Sequence, residues 1–340
     1  MKRAIQIAKN GQFSVAPNPM VGAVIVHQDK IIGEGYHQKY GEAHAEVNAI
    51  NAVKNQSLLK ESTLYVSLEP CSHQGKTPPC ANLIVEKGFK RVVIANLDPS
   101  DKVAGKGVEL LKKSGIEVVT EIGAKDGQLL NRRFFSLHKK KRPFVILKWA
   151  STADGYLGIL PSDSKVKDAW ITSALSKQLV HLWRAQEMGI LVGKRTALQD
   201  DPELTVREAN GKQPVRFLVD PLLEVPATAK LLDEAAPTVV LNTLKEGKKG
   251  QLTFLRYPKG QMIDVLFAYC LKTAIHSIII EGGAFTLERF LDDGRWDEIR
   301  HFTSQKQFGQ GVASPKINAE LICTQRIRGD EYRFYLNPQA

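Results

Sequence analysis

No stretch of this sequence is apolar over the length of a membrane crossing. The longest apolar runs, such as Val21 to Val26 and Ile278 to Ile280, are far too short. The opening residues Met1-Lys2-Arg3-Ala4-Ile5-Gln6 are basic, but no apolar segment follows them as a secretory leader requires. Cysteine is scarce: only Cys71, Cys80, Cys270 and Cys323 occur, and the first two lie inside one motif. Thiols used this way fit a reducing compartment, and a cytoplasmic location is expected. Cys270 and Cys323 sit among apolar neighbours and read as small core residues. No basic stretch is interleaved with aromatics, so the net charge of +11 does not argue for base stacking. The Lys139 to Arg142 run and Lys248-Lys249 read as solvated faces. A Gly-x-Gly-x-x-Gly fingerprint is also missing, which removes the dinucleotide-binding Rossmann motif.

What is present is enough chain for two cores. A length of 340 residues exceeds what one hydrophobic core usually serves. With 43% hydrophobic and 24% charged residues the composition is that of a globular protein. The basic run ending at Pro143 marks the expected junction, giving domains 1–142 and 143–340.

One stretch organises the first domain. It opens with His44-Ala45-Glu46 and closes with the Pro70 to Cys80 run. One imidazole and two thiolates suit a tetrahedral zinc, and three protein ligands leave a fourth position for water. Glu46 follows the histidine by two residues, near the metal without being needed as a ligand. Zinc nucleoside deaminases share this layout, with a non-ligand glutamate moving protons. The general deaminase signature separates its cysteines by two residues, whereas eight separate Cys71 from Cys80. Gly75, Pro78 and Pro79 would shape the longer loop, and His73, Lys76 and Thr77 on it suggest an added ligand pocket. A structural zinc site is the plain alternative, but such a site normally recruits a fourth ligand.

Local patterning predicts an alternating domain. Ala4, Ile5 and Ala8 suit a short helix, and Val21 to His27 a strand turning at Gln28-Asp29-Lys30 into Ile31-Ile32-Gly33. A helix is predicted over His44 to Lys54, which puts His44 and Glu46 at its start, where free N–H groups favour anions. Strands over Thr63 to Leu68, Arg91 to Leu97 and Ile116 to Glu121 alternate with helices over Ala81 to Lys87 and Gly107 to Ser114. That order predicts a three-layer α/β/α domain.

These residues resemble the deaminase domain of the bifunctional riboflavin-biosynthesis deaminase-reductases, the RibD/RibG family. The resemblance is carried by Pro17-Asn18-Pro19-x-Val21-Gly22, Gly35-Tyr36-His37, Gly41-x-x-His44-Ala45-Glu46, Glu69 to Cys80, Asp98-Pro99 and Val103 to Gly107. It implies a cytidine-deaminase-like fold, zinc on His44, Cys71 and Cys80, and Glu46 as proton shuttle. It further implies Asn18, His37 and His73 around the pyrimidine, with Lys76, Thr77 and Asp98 on the phosphoribosyl part. Ser100-Asp101 stand where the family often has Asn-Pro.

The second half predicts a strand over Val145 to Ala150, a turn at Asp154-Gly155 and a helix over Ser176 to Ala185. Further strands are predicted over Met188 to Val192, Arg216 to Asp220, Thr238 to Asn242 and His276 to Glu281, with Gly193 to Thr196 a basic loop. Glu281-Gly282-Gly283 then opens a helix over Phe285 to Asp292. Strand, glycines and helix start could cradle phosphate or form only a tight turn. This half resembles the family's reductase domain through Lys148-x-Ala150-x-x-x-Asp154-Gly155, Trp170-Ile171-Thr172, Arg184-Ala185, Gly193-x-x-Thr196, Asp200 to Arg207 and Glu281-Gly282-Gly283. The resemblance implies a dihydrofolate-reductase-like α/β fold and NADPH. Ala150, Trp170, Thr196, Asp200 and the segment Gly283, Ala284, Phe285, Thr286, Leu287 would bind the cofactor. Asp168, Arg184, Leu204, Arg207 and Glu281 would hold substrate, with the arginines toward its phosphate, and Lys148 would polarise the ribose. Lys165 to Asp168 replace the Gly-Glu-Ser common in the family.

The expected protein is thus a zinc-dependent deaminase joined to an NADPH-dependent reductase. It would act on small phosphorylated pyrimidines as a homo-oligomer, without nucleic-acid or membrane partners. Two alternatives stand beside it. One is a zinc deaminase of nucleosides or RNA with a degenerate C-terminal domain, and the other a zinc-stabilised binding module.

Overall fold

The computed structural model describes residues 1–72, 78–100, 103–160 and 170–339. The chain forms two compact units, Met1–Lys141 and Arg142–Ala340. Among the described residues no helix is long and apolar enough to cross a membrane.

Unit 1 runs α1 (Lys2–Ala8), β1 (Gly22–His27), β2 (Lys30–Tyr36), α2 (Ala45–Asn51), β3 (Thr63–Val66), α3 (Cys80–Lys87), β4 (Arg91–Ile94), α4 (Lys106–Lys113), β5 (Glu117–Val119), α5 (Ala124–Leu130) and α6 (Arg132–Phe135). A π-helical turn, Ser136–Lys140, ends it. The sheet order is β2-β1-β3-β4-β5. Gln28 and Asp29 both take positive φ, which lets the β1–β2 hairpin close in two residues with the twist the strands need. From β3 onward the strands are parallel. Parallel pairing forces a crossover, and α3 and α4 supply it.

Alternation sorts the side chains. Ala23 and Ile25 face a core with Leu64, Val66, Val92 and Ile94, covered by Ala45, Ala49 and Ile50 of α2, Ile84 of α3 and Leu111 of α4. Val24 faces the other way, under Ala4 and Ile7 of α1. Each large side chain buried here contributes roughly 1.5–3 kcal/mol. A Cβ on Gly35 would lie 2.3 Å from the backbone nitrogen of Ala49, so the glycine lets α2 lie directly on β2. That contact fixes the start of α2, where His44 and Glu46 sit.

Unit 2 runs β6 (Phe144–Ser151), β7 (Tyr156–Gly158), α7 (Ala174–Gln186), β8 (Gly189–Gly193), α8 (Lys194–Asp200), β9 (Val215–Val219), β10 (Thr238–Asn242), β11 (Gly247–Lys249) and β12 (Leu252–Arg256). It continues with α9 (Met262–Lys272), β13 (Ser277–Ile280), α10 (Ala284–Asp293), β14 (Glu298–Thr303), β15 (Val312–Ala313), β16 (Glu320–Ile327) and β17 (Asp330–Leu336). The large sheet has the order β11-β12-β10-β9-β8-β13-β6-β14-β17-β16. Strands from β12 to β14 in that order are parallel, and β11, β17 and β16 are antiparallel to their neighbours. Val145, Leu147 and Trp149 pack under α9 and α10, while Phe144 and Ile146 pack under Val180 and Trp183 of α7. β13 enters between β8 and β6, so α8 and α10 both begin at the carboxyl ends of neighbouring strands.

Several sequence expectations change. Gly193 to Thr196 is not a loop, because Lys194 begins α8. Cys270 is the core residue expected, fully buried in α9. Cys323 is not a core residue: it lies half-buried on β16, an edge strand whose residues are mostly exposed. Arg142 is no solvated lysine-run neighbour. Its guanidinium is 9% exposed and grips Asp297 through two bonds of 2.5 and 2.9 Å. Asp297 also accepts the Val145 N–H at 2.9 Å, so this pair ties the start of β6 to the start of β14. Replacing Asp297 with alanine would leave a buried guanidinium uncompensated. Unit 2 is expected to lose about 3–5 kcal/mol of stability, read by urea unfolding with wild-type protein as reference.

Candidate functional site

The start of α2 and the start of α3 converge on one point in unit 1. His44 is the residue just before α2, in extended geometry, and Glu46 falls in the first helical turn. Asn48 holds this turn by donating to the carbonyl of Tyr36 at 2.9 Å. Cys71 follows β3, and Cys80 is the first residue of α3. The free N–H groups of α3 are aimed at Cys71: that of Cys80 at its sulfur (3.4 Å), that of Ala81 at its carbonyl (3.0 Å).

The ligand atoms of His44, Cys71 and Cys80 all lie within 4.8 Å of one another. The His44 Nδ1 is 3.6 Å from the Cys71 sulfur and 3.3 Å from that of Cys80. Tetrahedral zinc with ordinary Zn–N and Zn–S lengths needs roughly 3.6 Å between such atoms. The donor set and its spacing therefore fit zinc. One thiol of the pair is held low: the bond from Cys80, with His44 beside it, brings Cys71 to about 4. Glu46 is 3% exposed and approaches Cys80, and burial pushes its carboxyl up to about 7.

A cavity of about 310 Å³ opens beside this cluster. Asn18, His37, His44, Glu46, Cys71 and Asp98 line it, so six of the residues expected from sequence meet there. His37 Nδ1 is 3.0 Å from the Ala43 carbonyl, which can only accept, so Nδ1 carries the proton. Nε2 is then the acceptor for the Asn18 amide at 3.0 Å. Burial lowers the pKa of His37 and keeps this neutral form. Burial, with Glu69 and Cys71 nearby, raises the Asp98 carboxyl to about 6. His73, Lys76 and Thr77 lie outside the described residues. Sequence reasoning missed Phe134 and His138, whose rings meet at 4.5 Å on the cavity wall. Asn131 anchors their segment by exchanging two 2.8 Å bonds with the backbone of Met20. The only local signal was an aromatic pair beside that asparagine.

Unit 2 holds a larger cavity of about 830 Å³ at the carboxyl edge of its sheet. Thr196 and Asp200 of α8 line it, with Gly283, Ala284, Phe285 and Thr286 at the start of α10. Leu287 does not: it is fully buried in the core, because α10 turns that position onto the sheet. Among the described residues Ala150 and Trp170 also lie outside this lining. Trp170 is exposed, with the Lys177 ammonium 5.6 Å above its ring. Lys194 pairs with Glu224, while Arg195, Lys259 and Arg289 also line the cavity.

A separate cluster joins β6, α7 and the end of β13. Glu281 receives Arg184 through two bonds of 2.9 and 2.8 Å, and the Lys148 ammonium lies 3.7 Å away. Burial alone would raise the Glu281 carboxyl; Arg184 and then Lys148 bring it down to about 2. Burial lowers Lys148 despite Glu281. Arg207 is exposed and pairs with Glu203 at 2.6 Å, while its N–H donates to His181 Nδ1 at 3.3 Å. Leu204 takes positive φ and its side chain is buried in the core, so only its backbone can face a ligand. Asp168 lies outside the described residues.

Comparison with known proteins now bears on these two sites. A family model described as the RibD C-terminal domain matches residues 143–327. A second, the cytidine and deoxycytidylate deaminase zinc-binding region, matches residues 1–96. The riboflavin biosynthesis protein RibD of Aquifex aeolicus is 43% identical over 332 residues, covering 95% of this chain and 90% of that protein. The chain belongs to the RibD family. The Escherichia coli RibD is 35% identical, covering 95% of this chain and 90% of its own. The solved Acinetobacter baumannii RibD superposes with a TM-score of 0.87 at 32% identity, covering 98% of this chain and 97% of its own. A Thermotoga maritima structure, described as a diaminohydroxyphosphoribosylaminopyrimidine deaminase/5-amino-6-(5-phosphoribosylamino)uracil reductase, has a TM-score of 0.87 at 34% identity and covers 99% of this chain and 97% of its own. This RibD-family chain is a bifunctional enzyme of riboflavin biosynthesis, deaminase and reductase together, with the fold class expected for both halves. The alternative of a nucleoside or RNA deaminase with a degenerate second domain is not favoured. A zinc site and a nicotinamide cofactor follow in general terms from the two domains.

The metal reading makes a direct prediction. Purified protein should carry about one zinc per chain, and Cys80→Ala should lose most of it by elemental analysis. Full retention would take Cys80 out of the site.

Proposed function

We propose that unit 1 hydrolyses the exocyclic amine of 2,5-diamino-6-(5-phosphoribosylamino)pyrimidin-4-one, releasing ammonia. Unit 2 then reduces 5-amino-6-(5-phosphoribosylamino)uracil to the ribitylamino phosphate with NADPH. The observation that carries the reading is the buried Glu46 carboxyl in one cavity with His44 and Cys71, whose ligand atoms cluster with that of Cys80.

His44, Cys71 and Cys80 would hold the zinc. When bound, zinc supplies Lewis acidity that brings the pKa of a water toward neutrality. Glu46 does the proton work. A carboxyl raised to about 7 can take a proton from the attacking water and return protons to the ring nitrogen and the departing amine. With its Nδ2 committed to His37, Asn18 has its Oδ1 left to accept a hydrogen bond from the pyrimidine. Lys76, Thr77 and Asp98 would serve the phosphoribosyl part, Lys76 through its charge.

In unit 2 the cofactor supplies the hydride and the protein supplies position and charge. The larger cavity with two helix starts at its edge suits an anionic dinucleotide. Lys148, held 3.7 Å from Glu281 and lowered by burial, would donate toward the ribose during reduction. Arg184 is already committed to Glu281, so the free role toward the substrate phosphate falls to Arg207. Its exposed pair with Glu203 contributes little and can be exchanged for phosphate.

Each half should fail alone. Glu46→Gln should retain zinc and lose deamination by roughly 10²-fold or more, while NADPH oxidation with the deaminated substrate stays near normal. Lys148→Ala or Arg207→Ala should do the reverse. Loss of both activities from a zinc-loaded Glu46→Gln protein would refute this division. NADPH should also bind more tightly than NADH. Arg195 and Lys259 line the cofactor cavity and have no acidic partner among the described residues, and replacing both with alanine should shrink that preference in a titration of cofactor fluorescence.

A further inference from the structure

Among the described residues of unit 1 Glu69 is the most heavily engaged carboxylate, and no step above uses it. It is 4% exposed. Its Oε2 accepts the N–H groups of Asp98 at 3.1 Å and Gly105 at 3.0 Å. Its Oε1 accepts those of Gly107 at 3.0 Å and Val108 at 3.2 Å. Among the described residues no lysine or arginine pairs with it. Its charge is met by backbone donors, three of them at the start of α4. Gly105, the residue before that helix, has no side chain with which to cap it. A carboxylate from a distant strand end does so instead. The approach is tight. A Cβ on Gly107 would lie 2.2 Å from the Pro70 carbonyl and 3.2 Å from Glu69 Oε1.

The brace joins two walls of one cavity. On one side Glu69 precedes Pro70-Cys71, part of the metal donor set. On the other it holds Asp98 and the start of α4, and Asp98, Ser100 and Val103 line the same cavity. Asp98 is shaped further by its own bond to the Ser100 N–H at 2.8 Å. We propose that Glu69 is a positioning residue of the deaminase: it sets the distance between the Cys71 side of the cavity and the Asp98 wall, and so the fit of the substrate. This rests on the deaminase reading above. It adds a residue that touches neither metal nor reacting atoms.

The test is Glu69→Gln, which keeps the shape but turns an amide NH₂ toward two of the four N–H groups. Ammonia release from the diaminopyrimidine nucleotide should show KM raised roughly tenfold or more, with kcat within about threefold. Zinc content and NADPH oxidation should match wild type. In an Asp98→Ala background the same change should add less than about twofold to KM, because it acts through that wall. An unchanged KM with a lowered melting temperature would overturn the proposal, leaving Glu69 as a fold element only. Full additivity with Asp98→Ala would also overturn it. Should Glu69→Gln purify without zinc, Glu69→Asp carries the same measurement, and zinc loss in both would show that the brace serves the metal loop instead. A wild-type protein that releases no ammonia would refute the deaminase reading itself, a result distinct from any of these.

Discussion

Every helix start leaves backbone N–H groups without partners, and both sites are built on how this chain disposes of them. Parallel strands require crossover helices, so these donors collect at the carboxyl edge of each sheet. In unit 1 those of α3 and α4 are spent on protein. The start of α3 donates to the sulfur and carbonyl of Cys71, and the start of α4 donates to Glu69. The result is a small cavity with its ligating atoms already drawn together. In unit 2 the starts of α8 and α10 border an open cavity of more than twice the volume. There the same donors are available to a ligand with its own negative charge.

Buried charge follows a parallel logic. Glu281 is matched by Arg184 and Lys148, Asp297 by Arg142, and Glu69 by four backbone amides. Arg216 is fully buried and donates to the carbonyls of Glu203, Lys230, Asp233 and Ala236 as well as to Thr238. Removing one partner of such a group costs far more than the pair contributes, because the other is left in a medium that cannot solvate it. These contacts act on the sites at one remove. The Glu203 segment held by Arg216 is the one whose carboxylate pairs with Arg207.

The gathering of His44, Cys71 and Cys80 was legible because these residues form short motifs at helix and strand ends. His44-x-Glu46 marks a helix start, and the Pro70 to Cys80 run leaves a strand and re-enters a helix. Strands such as Thr238–Asn242 were legible as apolar β-branched runs. What escaped depends on partners distant in sequence. The four bonds to Glu69 span 29 to 39 positions and have no local signature. Arg142 looked solvated because its partner is Asp297, and Cys323 looked buried because apolar neighbours do not reveal an edge strand. Basic residues masked the helical start at Lys194. Leu204 and Leu287 show the limit of motif transfer: the positions lie in matching segments, yet their side chains face the core.

The gathering of His44, Cys71 and Cys80 has a second consequence, for handling. Two sulfurs crowd one imidazole, and the bond from Cys80, with His44 beside it, lowers the thiol of Cys71. Zinc on His44, Cys71 and Cys80, as proposed above, would engage both sulfurs and shield them. Stripped by a chelator, the same arrangement presents a nucleophile beside a second thiol, the geometry from which air oxidation proceeds. A zinc held there would thus also act as an antioxidant cap, and preparations of the apoenzyme would need reductant before zinc could restore them.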